Sequence, residues 1–328
     1  MILGPLQVLK RETWDKITQR LSDLDQQVNE LTRQLSQACS ERDDLGQKLN
    51  QACLERDELK TEVARLEKLT QPFELAKPPK GKPTREAMFG VLKGWTSQFE
   101  VDGVTVGGPI GLSSDERLFW HLDIIGGATN KRALELGPLE GAHTMSLIEN
   151  GAREVVAIEG FPACWLRCLI VKEAFQLHQA QFLFGNFCEY VADYQGPKFD
   201  FVLAAGVLYH QANPARLIFD LAKLTDQVLV WSQVADETHP NAGEATIETG
   251  GRTYRGRIND YLGARHSEKG YCGGLDSQAF WMYPEEMRRA FMDAGFRFFV
   301  ERRWDATPSG PSVLFVASKY PCGQTAKN

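Results

Sequence analysis

Arg132-Ala-Leu-Glu-Leu-Gly-Pro-Leu-Glu-Gly141 is the stretch that decides the fold. An apolar run ends in the acid Glu135 and leads into glycines at 137 and 141. Glu154-Val-Val-Ala-Ile-Glu-Gly160 is a second apolar run, and it ends in the acid Glu159. Such runs, closed by an acid and a glycine, read as buried strands reaching the carboxyl edge of a parallel sheet. Ligands of open parallel sheets sit outside that edge, where the strand order reverses. Gly137 allows a sharp turn, and Gly141 lets backbone approach a ligand or a helix without a Cβ clash. Glu159 stands 22 residues beyond Gly137, a spacing that suits a carboxylate accepting from both hydroxyls of a ribose. A strand-to-helix turn that holds no ligand uses the same residues, so the later strands have to discriminate.

The turn itself separates two kinds of adenosine ligand. A dinucleotide site wants Gly-x-Gly-x-x-Gly, so that bare amides cradle a pyrophosphate. Here Pro138 removes an N–H, Leu139 fills the middle position and Glu140 adds negative charge. S-adenosylmethionine (SAM) carries no phosphate, so these changes cost it less. Two more strand ends follow. Phe182-Leu-Phe-Gly-Asn186 precedes Phe187, which gives an amide for an adenine edge and an aromatic ring for its face. Phe199 to His210 runs from a strand through Ala205 and Gly206 into a polar, aromatic mouth.

On these four strand ends the chain resembles the class I (Rossmann-like) SAM-dependent methyltransferases, over roughly residues 115–320. Motif I matches Glu135 to Gly141, the acid after it matches Glu159, the adenine-side position matches Asn186, and the strand-4 motif matches Ala205 to Pro214. The resemblance implies a doubly wound, mostly parallel, seven-stranded α/β sheet whose last strand inserts antiparallel. It also implies a SAM site built from Glu135, Gly137, Pro138, Gly141, Glu159, Asn186, Phe187, Ala205 and Gly206. Two positions depart from the pattern: Leu139 replaces the middle glycine, and Asn186 replaces an acid. Leu139 must therefore tilt away from the methionine part of the ligand, while Asn186 is expected to accept from the adenine amino group without charge. Gly206 to Pro214 also looks like the equivalent stretch of tRNA wobble-uridine carboxymethyl-transferring enzymes, which keeps an RNA substrate open as an alternative.

The chain has 328 residues, 43% of them hydrophobic and 24% charged, with a net charge of −6. That acidic balance argues against a broad nucleic-acid surface. No run of apolar residues is long enough to span a bilayer. Seven cysteines (39, 53, 164, 168, 188, 272 and 322), with no Cys-x-x-Cys, fit free thiols in a reducing cytoplasm and no metal site.

Residues 14–69 carry a heptad pattern. Trp14, Leu21, Val28, Leu35, Arg42, Leu49, Arg56 and Val63 fall at a, and Ile17, Leu24, Leu31, Ala38, Leu45, Ala52, Leu59 and Leu66 at d. The stretch Leu35 to Leu45 is echoed by Leu49 to Leu59, which repeats Ala at d and Arg at a. The expectation is an N-terminal coiled coil over 1–70, continuous over roughly 80 Å and pairing as a parallel homodimer. A Pro/Lys-rich linker is expected over 71–84, a methyltransferase domain over 85–320 and a tail over 321–328.

Some 50 residues separate the fifth strand of the main sheet from the helix beginning at Pro284. A connection of that length in a compact domain is usually functional. The stretch 233–283 is expected to face the acceptor, with Arg255, Tyr261, Trp281 and Tyr283, together with Tyr209 from the strand-4 motif, supplying aromatic and cationic contacts. Methyl transfer mainly requires alignment of acceptor, methyl carbon and sulfur. A hydroxyl acceptor also benefits from a base, for which His210 and then His239 are the candidates. Either histidine also suits a purely structural role. The expected acceptor is a hydroxyl or amine of a small molecule or saccharide. The competing readings are an RNA-modifying enzyme and a non-catalytic scaffold whose fold only binds a ligand.

Overall fold

The computed structural model describes residues 5–37, 48–60, 63, 81–236, 243–260, 274–276, 278–302 and 310–322. The chain divides into two units, Met1–Glu74 and Leu75–Asn328.

In the first unit Pro5–Gln37 is one helix, and 48–60 is helical too. Arg20 Nη2 lies 3.9 Å from Glu55 Oε2. On a straight helix those residues would stand roughly 50 Å apart, so the chain reverses between them. Leu24 and Ala52, both at d positions, are buried. The expected continuous rod gives way here to an antiparallel contact of the chain on itself. Apolar burial drives either arrangement, and the reversed one needs no second chain.

The second unit holds three sheets. Gln98–Val101 (β1) and Val104–Gly107 (β2) form a hairpin closed by Asp102 and Gly103, both at positive φ, which is the geometry of a tight hairpin turn. The main sheet uses Arg132–Leu136 (β3), Glu154–Glu159 (β4), Ala180–Phe184 (β5), Phe201–Ala205 (β6), Gln227–Gln233 (β7), Phe298–Arg302 (β11) and Ser312–Ser318 (β12). Its order is β11-β12-β7-β6-β3-β4-β5, with β3 to β7 parallel and β12 antiparallel between β7 and β11. The order reverses between β3 and β6, which creates the crevice expected at a switch point.

Strand alternation sorts the core into two layers. Leu134, Leu136, Val156, Ile158, Val202, Ala204, Val228 and Val230 meet the helices Pro214–Leu224 and Pro284–Asp293 on one face. Ala133, Val155, Phe201, Leu203 and Leu229 meet Glu116–Ile125 and Ala142–Glu149 on the other. The parallel strands are apolar on both faces because both are covered. The helices start where the sequence supplies caps and prolines. Asp115 Oδ1 accepts from Arg117 N, Asn213 Oδ1 accepts from Arg216 N, and Pro162, Pro214 and Pro284 occupy first turns. The cap of Glu116–Ile125 is thus Asp115, one residue beyond the serines at 113 and 114, which belong to a 3-10 turn.

The described residues of the long connection after β7 form a sheet of their own. Glu244–Thr249 (β8), Arg252–Asp260 (β9) and Gln278–Met282 (β10) form an antiparallel sheet in the order β10-β9-β8. Gly250 and Gly251, both at positive φ, close its first hairpin. Ile247, Tyr254, Phe280 and Met282 join the main core, and Tyr254 is fully buried with its hydroxyl donating to Asp293.

Candidate functional site

A cleft of about 680 Å³ opens at the carboxyl edge of the main sheet. Every parallel strand contributes to it at its end: Gly137 after β3, Glu159 on β4, Asn186 after β5, Ala205 and Gly206 on and after β6, and Trp231 on β7. Gly137 has φ +62°, and a Cβ there would lie 2.9 Å from Val207 Cγ1. The turn at motif I therefore needs glycine for both its conformation and its space.

Glu159 sits at the centre of the electrostatics. Its Oε2 accepts from Leu139 N at 3.0 Å and its Oε1 from Phe161 N at 2.9 Å. The side chain is buried and has no ion-pair partner among the described residues. Burial pushes its carboxyl up to about 7, against the pull of the amide hydrogen bonds. Leu139 adopts φ +58°, uncommon for a branched residue, and this is the conformation in which its N–H meets Glu159.

Glu140 does not charge the cleft. Its carboxylate is fully buried and accepts from Thr96 N at 3.0 Å and Ser97 N at 2.6 Å, with Arg167 Nη1 3.6 Å away. It ties the glycine turn to the segment that leads into β1. Glu135 is also buried, takes a hydrogen bond from the Thr144 hydroxyl and does not line the cleft. Gly141, at φ +83°, begins the helix Ala142–Glu149, and a Cβ on it would come within 3.0 Å of the Phe182 ring. It packs beside Phe182 and is not among the residues that line the cleft.

Pro138, Asn186, Phe187 and Tyr209 line the cleft as expected, and so does His210. Asn186 has a second, structural role. Its Oδ1 accepts from Cys188 N at 2.9 Å and caps the helix Phe187–Asp193. That oxygen keeps a second lone pair, so the cap leaves both an acceptor and the Nδ2 donors for a ligand. Tyr209 packs edge-on to both Trp231 and Trp281, with ring centroids 6.0 and 5.7 Å away. Trp281 supports the aromatic mouth from behind and is not in the wall.

Arg255 and Tyr283 lie away from the cleft. Arg255 pairs with Glu286 and stacks over Tyr283, whose hydroxyl accepts from Arg257 Nε. These interactions knit the insertion sheet to the helix Pro284–Asp293. His239 and Tyr261 fall outside the described residues. The insertion reaches the cleft at 274–276 instead: a Cβ on Gly274 would overlap the carbonyl oxygen of His210, and Leu275 packs against Gly160.

Three residues absent from the sequence expectations also face the cleft or support its wall. Arg117 and His143 line it, and Asp115 joins them. Asp115 Oδ2 is 2.6 Å from Arg117 Nη2 and 2.9 Å from His143 Nε2. Burial pushes the Asp115 carboxyl upward, but hydrogen bonds from His143 and Arg117 outweigh it and hold the group well below the usual carboxylate range. The Arg117 guanidinium lies 4.3 Å over the Trp231 ring. Cys164 also lines the cleft, but burial pushes its thiol up to about 12, so it is no nucleophile.

The N-terminal domain of EvdMO1, solved with SAH bound, superposes with a TM-score of 0.57 at 22% identity, covering 74% of this chain and 99% of that one. The same domain, solved in the presence of SAH and D-fucose, gives 0.53 at 21% identity, covering 79% and 96%. The second unit has the fold of the SAM-dependent methyltransferases. A SAM-dependent methyltransferase from Mesorhizobium loti matches more remotely, at 15% identity over 63% of this chain and 100% of that one, with a TM-score of 0.45. No family model matches the sequence, and no curated protein matches it.

Proposed function

We propose that the protein is a SAM-dependent methyltransferase that methylates a hydroxyl or amine of a small molecule or saccharide. The Glu159 carboxylate carries this reading. It closes β4 inside the cleft, free of any ion pair among the described residues, at the height where a ribose would present two hydroxyls. The turn beside it suits SAM better than a dinucleotide: Pro138 has no N–H, and the Leu139 N–H is already given to Glu159. The SAH found with the EvdMO1 domain and the D-fucose present with it support the donor and a saccharide acceptor.

The residues fit the donor in a defined order. Glu159 accepts from the ribose, while Asn186 and Phe187 take the adenine edge and face. Gly137, Pro138, Ala205 and Gly206 leave room for the methionine arm. When bound, the donor supplies an activated sulfonium methyl carbon. The protein then has to orient the acceptor and exclude water. Tyr209 and Trp231 give the acceptor apolar ring surface, and Leu275 narrows the mouth. His210, buried beside Tyr209 with ring centroids 4.0 Å apart, takes the proton from a hydroxyl acceptor.

The test is label transfer from methyl-labelled SAM into a cell extract split into glycan, small-molecule, RNA and protein fractions, with SAH binding followed by calorimetry. Label in glycan or small molecules supports the reading. Label in RNA moves the acceptor to a nucleic acid. Binding of SAH with label in no fraction leaves a ligand-binding fold without turnover on the acceptors of that extract.

A further inference from the structure

The charged groups in the cleft divide unevenly. Glu159, Glu189, Asp220 and Asp276 supply negative charge along the wall. Arg216 answers Asp220 at 2.7 Å from a largely exposed position. Arg117 is different: its side chain is 20% exposed, and it is gripped on one edge only. Nε and Nη2 donate to Asp115, and among the described residues Nη1 has no hydrogen-bond partner. Trp231 covers one face of the guanidinium, and His143 Nε2 shares the Asp115 Oδ2 that Arg117 Nη2 bonds. The cation is thus oriented by its neighbours, and Arg117 lines the cleft together with Gly137 and Gly206.

A planar guanidinium with one fixed edge and one open edge recognises a carboxylate. Resting on the donor reading above, we propose that Arg117 is the positioning residue for the donor's amino-acid end and receives its α-carboxylate. Three things carry this. Arg117 shares a carboxylate with His143, the second residue of the helix that follows Gly141, so it stands one side chain from motif I. The far end of the cleft, near Glu159 and Asn186, is left for the nucleoside. Asp115 is held ionised by its two partners, so the Arg117 fork keeps one orientation whether or not a ligand is present. A site oriented in advance spends less binding energy on ordering.

The experiment compares two ligands on the full-length protein by calorimetry. SAH has the amino-acid arm; methylthioadenosine keeps adenine, ribose and sulfur but lacks it. Arg117→Gln is expected to weaken SAH roughly 10- to 100-fold, the loss of a charge-assisted hydrogen bond, and to leave methylthioadenosine unchanged. Arg117→Lys, which keeps the charge without the fork, is expected to fall between. Glu159→Ala is expected to weaken both ligands. An equal loss of both ligands on Arg117→Gln, or of neither, overturns the assignment while the donor reading stands. A wild-type protein that binds methylthioadenosine as tightly as SAH overturns it too. A wild-type protein that binds neither ligand removes the donor reading and this assignment together.

Discussion

At the scale of single residues, the site turns on carboxylates whose surroundings set their charge. Among the described residues no cation pairs with Glu159, and burial pushes its carboxyl up to about 7. Ribose hydroxyls donate to the ionised form, so SAH affinity should be flat above pH 8 and fall about tenfold per unit once pH drops well below 7. Calorimetry across pH checks this, and a flat profile in Glu159→Gln is the control. The ligand-free protein should behave oppositely. The raised folded-state value means the fold binds this proton more tightly than the unfolded chain, whose value is near 4.5. This group's contribution to stability is therefore full below pH 4.5 and is lost as pH rises through 7. Gly137→Ala should cut SAH affinity more than tenfold, since the new Cβ would meet Val207 at a left-handed backbone position. The cleft residues proposed to hold the donor, Glu159, Asn186, Phe187 and Gly206, were readable because strand ends are marked by composition. Arg117 and His143 were not, because only folding brings residue 117 beside residue 143 through Asp115.

At the scale of elements, Glu140 holds two segments together. Its removal strands two buried amides and leaves Arg167 without its carboxylate. Glu140→Ala should cost about 2–4 kcal/mol, measured by urea denaturation, with a weaker donor site as a secondary effect. Reading Glu140 as an unwelcome charge in the turn treated sequence neighbours as spatial neighbours; residue 140 points the other way. The parallel strands were legible from their apolar runs. The insertion sheet was missed, although Gly250-Gly251 between alternating residues is a hairpin signal. Its many charged residues drew attention to ligand contacts, whereas Arg255, Arg257 and Tyr283 serve to join the sheet to its neighbouring helix.

At the scale of the whole molecule, the described residues that line the cleft fall between Thr96 and Asp276. A protein lacking residues 1–74 should therefore bind SAH as the full chain does, measured side by side by calorimetry. Leu24→Asp should lower the helical signal in circular dichroism with SAH affinity unchanged, because Leu24 is buried in the helical unit. The heptads were legible but their partner was not. Periodicity records which face is apolar and is silent on whether another chain or a later stretch of the same chain covers it.

The tie between Glu140 and the amides of Thr96 and Ser97 has a practical use. An amide whose hydrogen is held by a buried carboxylate exchanges with deuterated solvent only when that bond opens. These two hydrogens sit on one side of the glycine turn and answer to a residue within it, so their exchange rates form a clock for the opening of the turn. Slower exchange on adding SAH would time the closing of the cleft around its ligand without a label on either.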